Sequence, residues 1–114
     1  MVVEVKMRTT TEIKELVLKI KKFLLDLYGT GIRQVILYGS YARGDADEDS
    51  DIDLLVVVGE EISPSEVEES IDDLLFEILI ERGELVSVMA IPEGTFRSYN
   101  SPLFLNVRRE GVSV

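Results

Sequence analysis

Two aspartates one residue apart, Asp51 and Asp53, open a strand-like run that continues as five apolar residues, Leu54 to Val58. Alternation along a strand sends side chains i and i+2 to the same side of a sheet. Carboxylates held that close repel each other unless a cation lies between them. Magnesium binds a few protein carboxylates and completes its shell with water and substrate phosphates. A pair of such ions can clamp an in-line phosphoryl or nucleotidyl displacement. Ten residues separate Asp51 from Gly39-Ser40, which closes another apolar run, Val35-Ile36-Leu37-Tyr38. A glycine at a strand end lets backbone approach a ligand closely, and the start of a helical turn favours an anion. Ser40 adds a hydroxyl suited to a phosphate oxygen. Each half has a plainer reading, Gly-Ser as a turn and Asp-x-Asp as a solvated acidic turn. Together they fix four identities at set spacing, which chance produces in roughly one of several hundred chains this long. Arg43, one helical turn after Ser40, either reaches a phosphate or pairs with the acidic loop behind it.

These residues need a scaffold. Apolar residues Ile13, Leu16, Val17, Ile20, Phe23, Leu24 and Leu27 keep a 3.6-residue period, so residues 10–28 read as an amphipathic helix. Thr9 and Glu12 form a capping-box pattern, and Gly29 is the stop. Strands are expected over Arg33–Tyr38, Asp51–Val58 and Leu85–Ile91. Ser63-Pro64-Ser65-Glu66 starts a helix bearing Val67, Ile71, Leu74, Leu75, Ile78 and Leu79, with Gly83 beyond it. Pro92–Phe96 is a turn or short helix, and Ser101-Pro102 caps a last helix through Arg109. The expected fold is α+β in the order α-β-β-α-β-α, a small mixed sheet with helices packed against it in one domain, 1–114. The dozen residues between the first two strands leave little room for a crossover helix, whereas the helix before the third strand suits one.

Composition narrows the chemistry. With 22 Asp and Glu against 12 Lys and Arg, the net charge is −10. A general basic surface for nucleic acid is therefore excluded, though not a nucleotide substrate. The chain has no Cys and no His, which removes thiolate catalysis, zinc ribbons and histidine general bases. No apolar run approaches a membrane span, and a cytoplasmic location is expected.

Residues Gly39, Ser40, Ala42-Arg43-Gly44, Ser50-Asp51, Asp53 and Leu54 resemble the motif of the minimal nucleotidyltransferases, in the DNA polymerase β-like superfamily. The resemblance runs from the helix before Gly39 through the third strand, and residues 101–111 also look like the closing segment of such proteins. It implies binding of a nucleoside triphosphate, ATP foremost, with Mg2+, and transfer of a nucleoside monophosphate to an acceptor. It also implies an antitoxin role beside an all-helical HEPN toxin, in some members by AMP transfer to a partner tyrosine. By resemblance, Gly39 and Ser40 hold the triphosphate, while Asp51 and Asp53 bind the metals and serve catalysis; Arg43, with its two readings, is a further nucleotide-binding candidate. Active members carry a third carboxylate on a later strand. Here Ser87 stands near that position, and Glu84 lies at the strand's start on the opposite face by alternation. Two readings follow: the acceptor or a water completes the metal shell, or the protein is a weak or inactive nucleotide-binding module acting by contact.

Other features have bland readings. Asp45, Asp47 and Asp49 continue the alternation, but a calcium loop starting at Asp45 would place Ser50 where glycine is required and Val56 where a bidentate glutamate is required. Asp45, Asp47, Glu48 and Asp49 thus read as a solvated acidic loop. Leu18, Leu25, Phe76 and Ile80 lie off their helices' main stripes. A wide buried face explains them, with a partner-facing role as the alternative. Arg108 and Arg109 read as a solvated helix end.

Overall fold

The computed structural model describes residues 10–47 and 49–114, so the expected Thr9 cap lies outside the described residues. Helix α1 (Thr10–Tyr28) ends in a single 3-10 turn, Gly29–Gly31. Then follow β1 (Ile32–Tyr38), α2 (Ser40–Arg43), β2 (Ile52–Val58), α3 (Pro64–Arg82), β3 (Val86–Pro92), α4 (Glu93–Ser98), α5 (Pro102–Glu110) and β4 (Val112–Ser113).

The sheet order is β3-β2-β1-β4. The short β1–β2 connection gives an antiparallel pair, with Leu37 opposite Leu54 and Tyr38 opposite Asp53. The β2–β3 pair is parallel, which requires the crossover that α3 supplies. Strand β4 joins the other side of β1 antiparallel, with Leu37 opposite Val112. It adds to the expected element order. Two residues are too few to show a period, and β4 exists because the free edge of β1 pairs with it.

Alternation divides β2 between two layers. Ile52, Leu54, Val56 and Val58 pack with Leu16, Ile20 and Leu24 of α1 and Val67, Ile71 and Ile78 of α3. Leu55 and Val57 pack on the opposite face with Ile36, Phe96, Phe104 and Val107, beneath α4 and α5. Burial on both faces is why this strand reads as an unbroken apolar run.

The smaller layer is pinned at its corner. Arg108 donates to the Phe96 carbonyl, and to Asn100 Oδ1 at 2.7 Å. Its guanidinium carbon stands 5.7 Å from the centre of the Phe96 ring. Arg108 is therefore a clasp between α4 and α5 rather than part of a solvated helix end, while Arg109 bonds Asn106 on its own helix. The Ser101 hydroxyl accepts from the Phe104 N–H at 3.1 Å and caps α5. Ser101→Ala is expected to lower stability by about 1 kcal/mol, read as a lower urea midpoint at unchanged slope.

Some side chains depart from expectation. Leu27 lies on the predicted stripe yet is exposed, while the neighbouring Tyr28 packs against the core instead. The wide buried faces do not form: Leu18, Leu25, Phe76 and Ile80 are all exposed. Each helix touches the sheet along one stripe, and nothing among the described residues covers the next.

Candidate active site

Asp53 belongs to the odd-numbered series of β2 that continues through Leu55 and Val57, so it shares their face. Asp53 is half-buried, and its register partner Tyr38 packs against the α4–α5 layer. Asp51 precedes the strand and is exposed. Its approach is organised by a turn in which Asp47 N–H donates to Ser50 Oγ and Asp49 N–H to Asp47 Oδ1, each at 2.9 Å. The Ser50 N–H closes that turn on the Asp47 carbonyl at 3.1 Å. The acidic loop is thus an exposed connector, as expected for Asp45, Asp47 and Asp49, while Glu48 lies outside the described residues.

Gly39 stands directly against this acid. Its φ of 78° and ψ of −155° belong to a region essentially restricted to glycine. A Cβ there would run into Asp53 Oδ2 and stand 3.4 Å from its Cγ. The chain then turns into α2, whose Ala42 and Arg43 amides both donate to the Gly39 carbonyl at 3.1 Å. Gly39, Ser40, Asp51 and Asp53, predicted from spacing alone, therefore gather at one end of the β1–β2 pair. Arg43 lies in ion pairs with Asp45 (3.3 Å) and with Glu110 of α5 (3.9 Å). Of its two expected roles, the structure displays the pairing with the acidic loop.

Burial first, and the neighbouring Asp51 charge second, push the Asp53 carboxyl above its ordinary value; Arg43 opposes both. A carboxyl raised by a like charge marks a place where a cation would be favourable. Two carboxylates at one sheet end suit magnesium, which draws its remaining ligands from phosphates and water. No third acid joins them: among the described residues no three Asp or Glu side chains form a group able to hold a metal. Ser87 pairs with Asp53 in register on β3 and shares its face, whereas Glu84 is buried.

Two neighbours were not among the expected residues. Tyr38, opposite Asp53 on β1, has its hydroxyl pushed up by burial and then by the Asp53 charge. Glu110 reaches Arg43 from α5. Tyr38 could have been found by pairing the two apolar strands antiparallel from their inner ends. No local pattern marks Glu110.

The nucleotidyltransferase domain model matches residues 17–101. A Methanocaldococcus jannaschii protein, provisionally named a protein adenylyltransferase, is 48% identical over 59 residues, 52% of this chain and 57% of that protein. A second from that organism, under the same provisional name, is 34% identical over 96 residues, 81% of this chain and 90% of its own length. Against some of these relatives the chain spans only about half of their length. A solved structure described as a minimal nucleotidyltransferase, also provisionally, superposes with a TM-score of 0.54 at 27% identity, over 89% of this chain and 94% of that one. A toxin–antitoxin crystal structure with AMP-PNP has a like fold, with TM-score 0.55 at 20% identity over 83% and 69% of the two chains. With its Gly-Ser turn set against Asp-x-Asp, this chain belongs to the nucleotidyltransferase domain family, among the minimal nucleotidyltransferases.

Proposed function

We propose that residues 1–114 form one transferase domain that moves AMP from ATP to a hydroxyl on a partner protein, with Mg2+, as the antitoxin of a cytoplasmic toxin–antitoxin pair. The observation that carries this reading is the fit of the Gly39 backbone against Asp53, beside Asp51. A Gly-only conformation and two mutually repelling acids have little structural purpose otherwise. Support for the partner comes from the relatives named as protein adenylyltransferases and the fold likeness to a toxin–antitoxin complex. An all-helical HEPN-type toxin is the partner we test first.

Asp51 and Asp53 would hold magnesium, which when bound draws negative charge from the phosphate oxygens. Gly39 leaves room beside Asp53 for the triphosphate, and the Ser40 hydroxyl is a donor to it. The acceptor oxygen bonds to the α-phosphorus, the α–β anhydride bond breaks, pyrophosphate leaves, and the hydroxyl proton passes to solvent. Arg43 sits within a helical turn of Ser40; it and Asp45 are exposed, and Glu110 is half-buried. Such pairs contribute under about 1 kcal/mol. Arg43→Ala should therefore barely move the melting temperature, while nucleotide affinity falls about tenfold in a calorimetric titration.

A second reading is favoured by Ser87, which puts a hydroxyl rather than a third carboxylate beside Asp53. On that reading the chain neutralises its toxin by contact, with nucleotide bound. One experiment separates them: incubate the protein with labelled ATP, Mg2+ and the candidate toxin. Label on the toxin, lost in Asp51→Asn, supports transfer. Neutralisation by Asp51→Asn equal to that of the native chain supports contact.

A further inference from the structure

Arg43 is a cation that two parts of the molecule share. It closes α2 three residues after Ser40, so the two side chains lie on one side of that single turn. Its charge also acts on Asp53. One of its partners, Asp45, is built onto the same turn, since the Asp45 N–H donates to the Ser40 carbonyl at 3.1 Å. The other partner comes from elsewhere in the fold. Glu110 is the last residue of α5, and its Oε2 stands 3.9 Å from Arg43 Nη1.

The backbone beneath Glu110 is held on both sides. Before it, Phe104 and Val107 are buried in the smaller core layer. After it, the Gly111 N–H donates to the Val107 carbonyl at 2.8 Å, and a Cβ on Gly111 would stand 2.5 Å from Ile36 Cγ2 of β1. Val112 and Ser113 then pair with Leu37 and Ile36, and the Val114 N–H donates to the Val35 carbonyl at 3.0 Å. Arg43, by contrast, ends a long, exposed side chain with many rotamers. The guanidinium is the member of this pair that can change partner.

We infer that Glu110 sets nucleotide affinity by competing with the phosphates for Arg43. The glutamate and a phosphate oxygen are alternative partners of one guanidinium. This rests on the nucleotide reading of the Gly39-Ser40 turn above and names the residue that tunes it. Exposed ion pairs add little to stability, so the fold does not need this one. A guanidinium gives a phosphate paired, charge-assisted bonds, which outweigh a single contact at 3.9 Å. Nucleotide therefore wins the exchange, at an affinity below what an uncontested Arg43 would give. The same carboxylate takes Arg43 back as pyrophosphate departs, which favours release of that product.

The test is a calorimetric titration of the full chain with ATP and Mg2+ and no acceptor, so that binding is read without transfer. Glu110→Gln should bind ATP about two- to fivefold more tightly, the range an exposed ion pair supports, at a nearly unchanged melting temperature. Glu110→Asp keeps the charge but shortens the reach, and should also bind more tightly than the native chain. The gain from Glu110→Gln should vanish in an Arg43→Ala background, where no cation is contested. Glu93→Gln removes the same charge at the opposite end of the sheet, where Glu93 pairs with Arg33 at 3.8 Å, and should leave affinity unchanged. Weaker binding by Glu110→Gln would make the glutamate a support for Arg43 and overturn competition. A gain absent from Glu110→Asp, or undiminished in Arg43→Ala, would assign the effect to net charge and overturn it too. If the native chain binds no ATP, the nucleotide reading itself fails. If it binds ATP and Glu110→Gln binds identically, that reading stands and competition alone is lost.

Discussion

Asp53→Asn is expected to raise the melting temperature of the free protein while lowering nucleotidyl transfer by on the order of 10²–10³-fold or more. The two effects share a cause. Burial and the Asp51 charge hold the Asp53 carboxyl above its ordinary 3.8. The ionised acid is therefore less at ease in the folded chain than in the unfolded one. The sign with pH follows. Between the ordinary value and the raised one, the folded state binds more protons than the unfolded state, so stability rises as pH falls through that window. Above the raised value the penalty is fully present, and asparagine removes it. The gap between the two melting curves should be widest at neutral pH and close on acidification. Magnesium should stabilise the native chain and leave the variant nearly unmoved, since a cation relieves the repulsion that asparagine has already relieved. Melting curves from pH 3 to 8 with and without magnesium, run beside the labelled-ATP assay, check this. A variant that melts lower at neutral pH, or still transfers, would contradict it.

Gly39→Ala is expected to fail in both folding and function, in contrast to Gly44→Ala nearby. Gly39 combines a backbone conformation that other residues avoid with a carboxylate where its Cβ would go. Strain of this kind costs about 1–3 kcal/mol, and relieving the contact displaces Asp53. Gly44 also has positive φ, 82° with ψ 14°, but its Cβ would meet nothing within 4 Å. Alanine there should cost about 1–2 kcal/mol for the left-handed conformation and leave nucleotide affinity intact. Urea unfolding and nucleotide titration of both variants separate general glycine strain from close approach at the site. Native affinity in Gly39→Ala would show that the nucleotide does not depend on this contact.

Ser63 and Ser101 could be recognised as helix caps because a cap acts on the amide three residues later in its own chain. Strand and helix identities were legible for the same reason: burial with period 2 or 3.6 is written into neighbouring residues. The off-stripe leucines resisted such reading. Whether Leu18 or Phe76 is covered depends on what lies above it, and the helix pattern says nothing of that. Arg108 resembles any basic residue near a helix end until Phe96 and Asn100 are brought under it.

For the site, Gly39, Ser40, Asp51 and Asp53 were readable because each pair sits at a strand end with its partner close along the chain. Residue type and spacing suffice when the turn between them is short. Their common face, Tyr38 opposite Asp53, Ser87 alongside it and Glu110 on Arg43 came only with the tertiary structure. Those relations depend on strand register and on where α5 lands. Register is decided by which apolar faces can be buried together, a property of the assembled layers that no single segment carries.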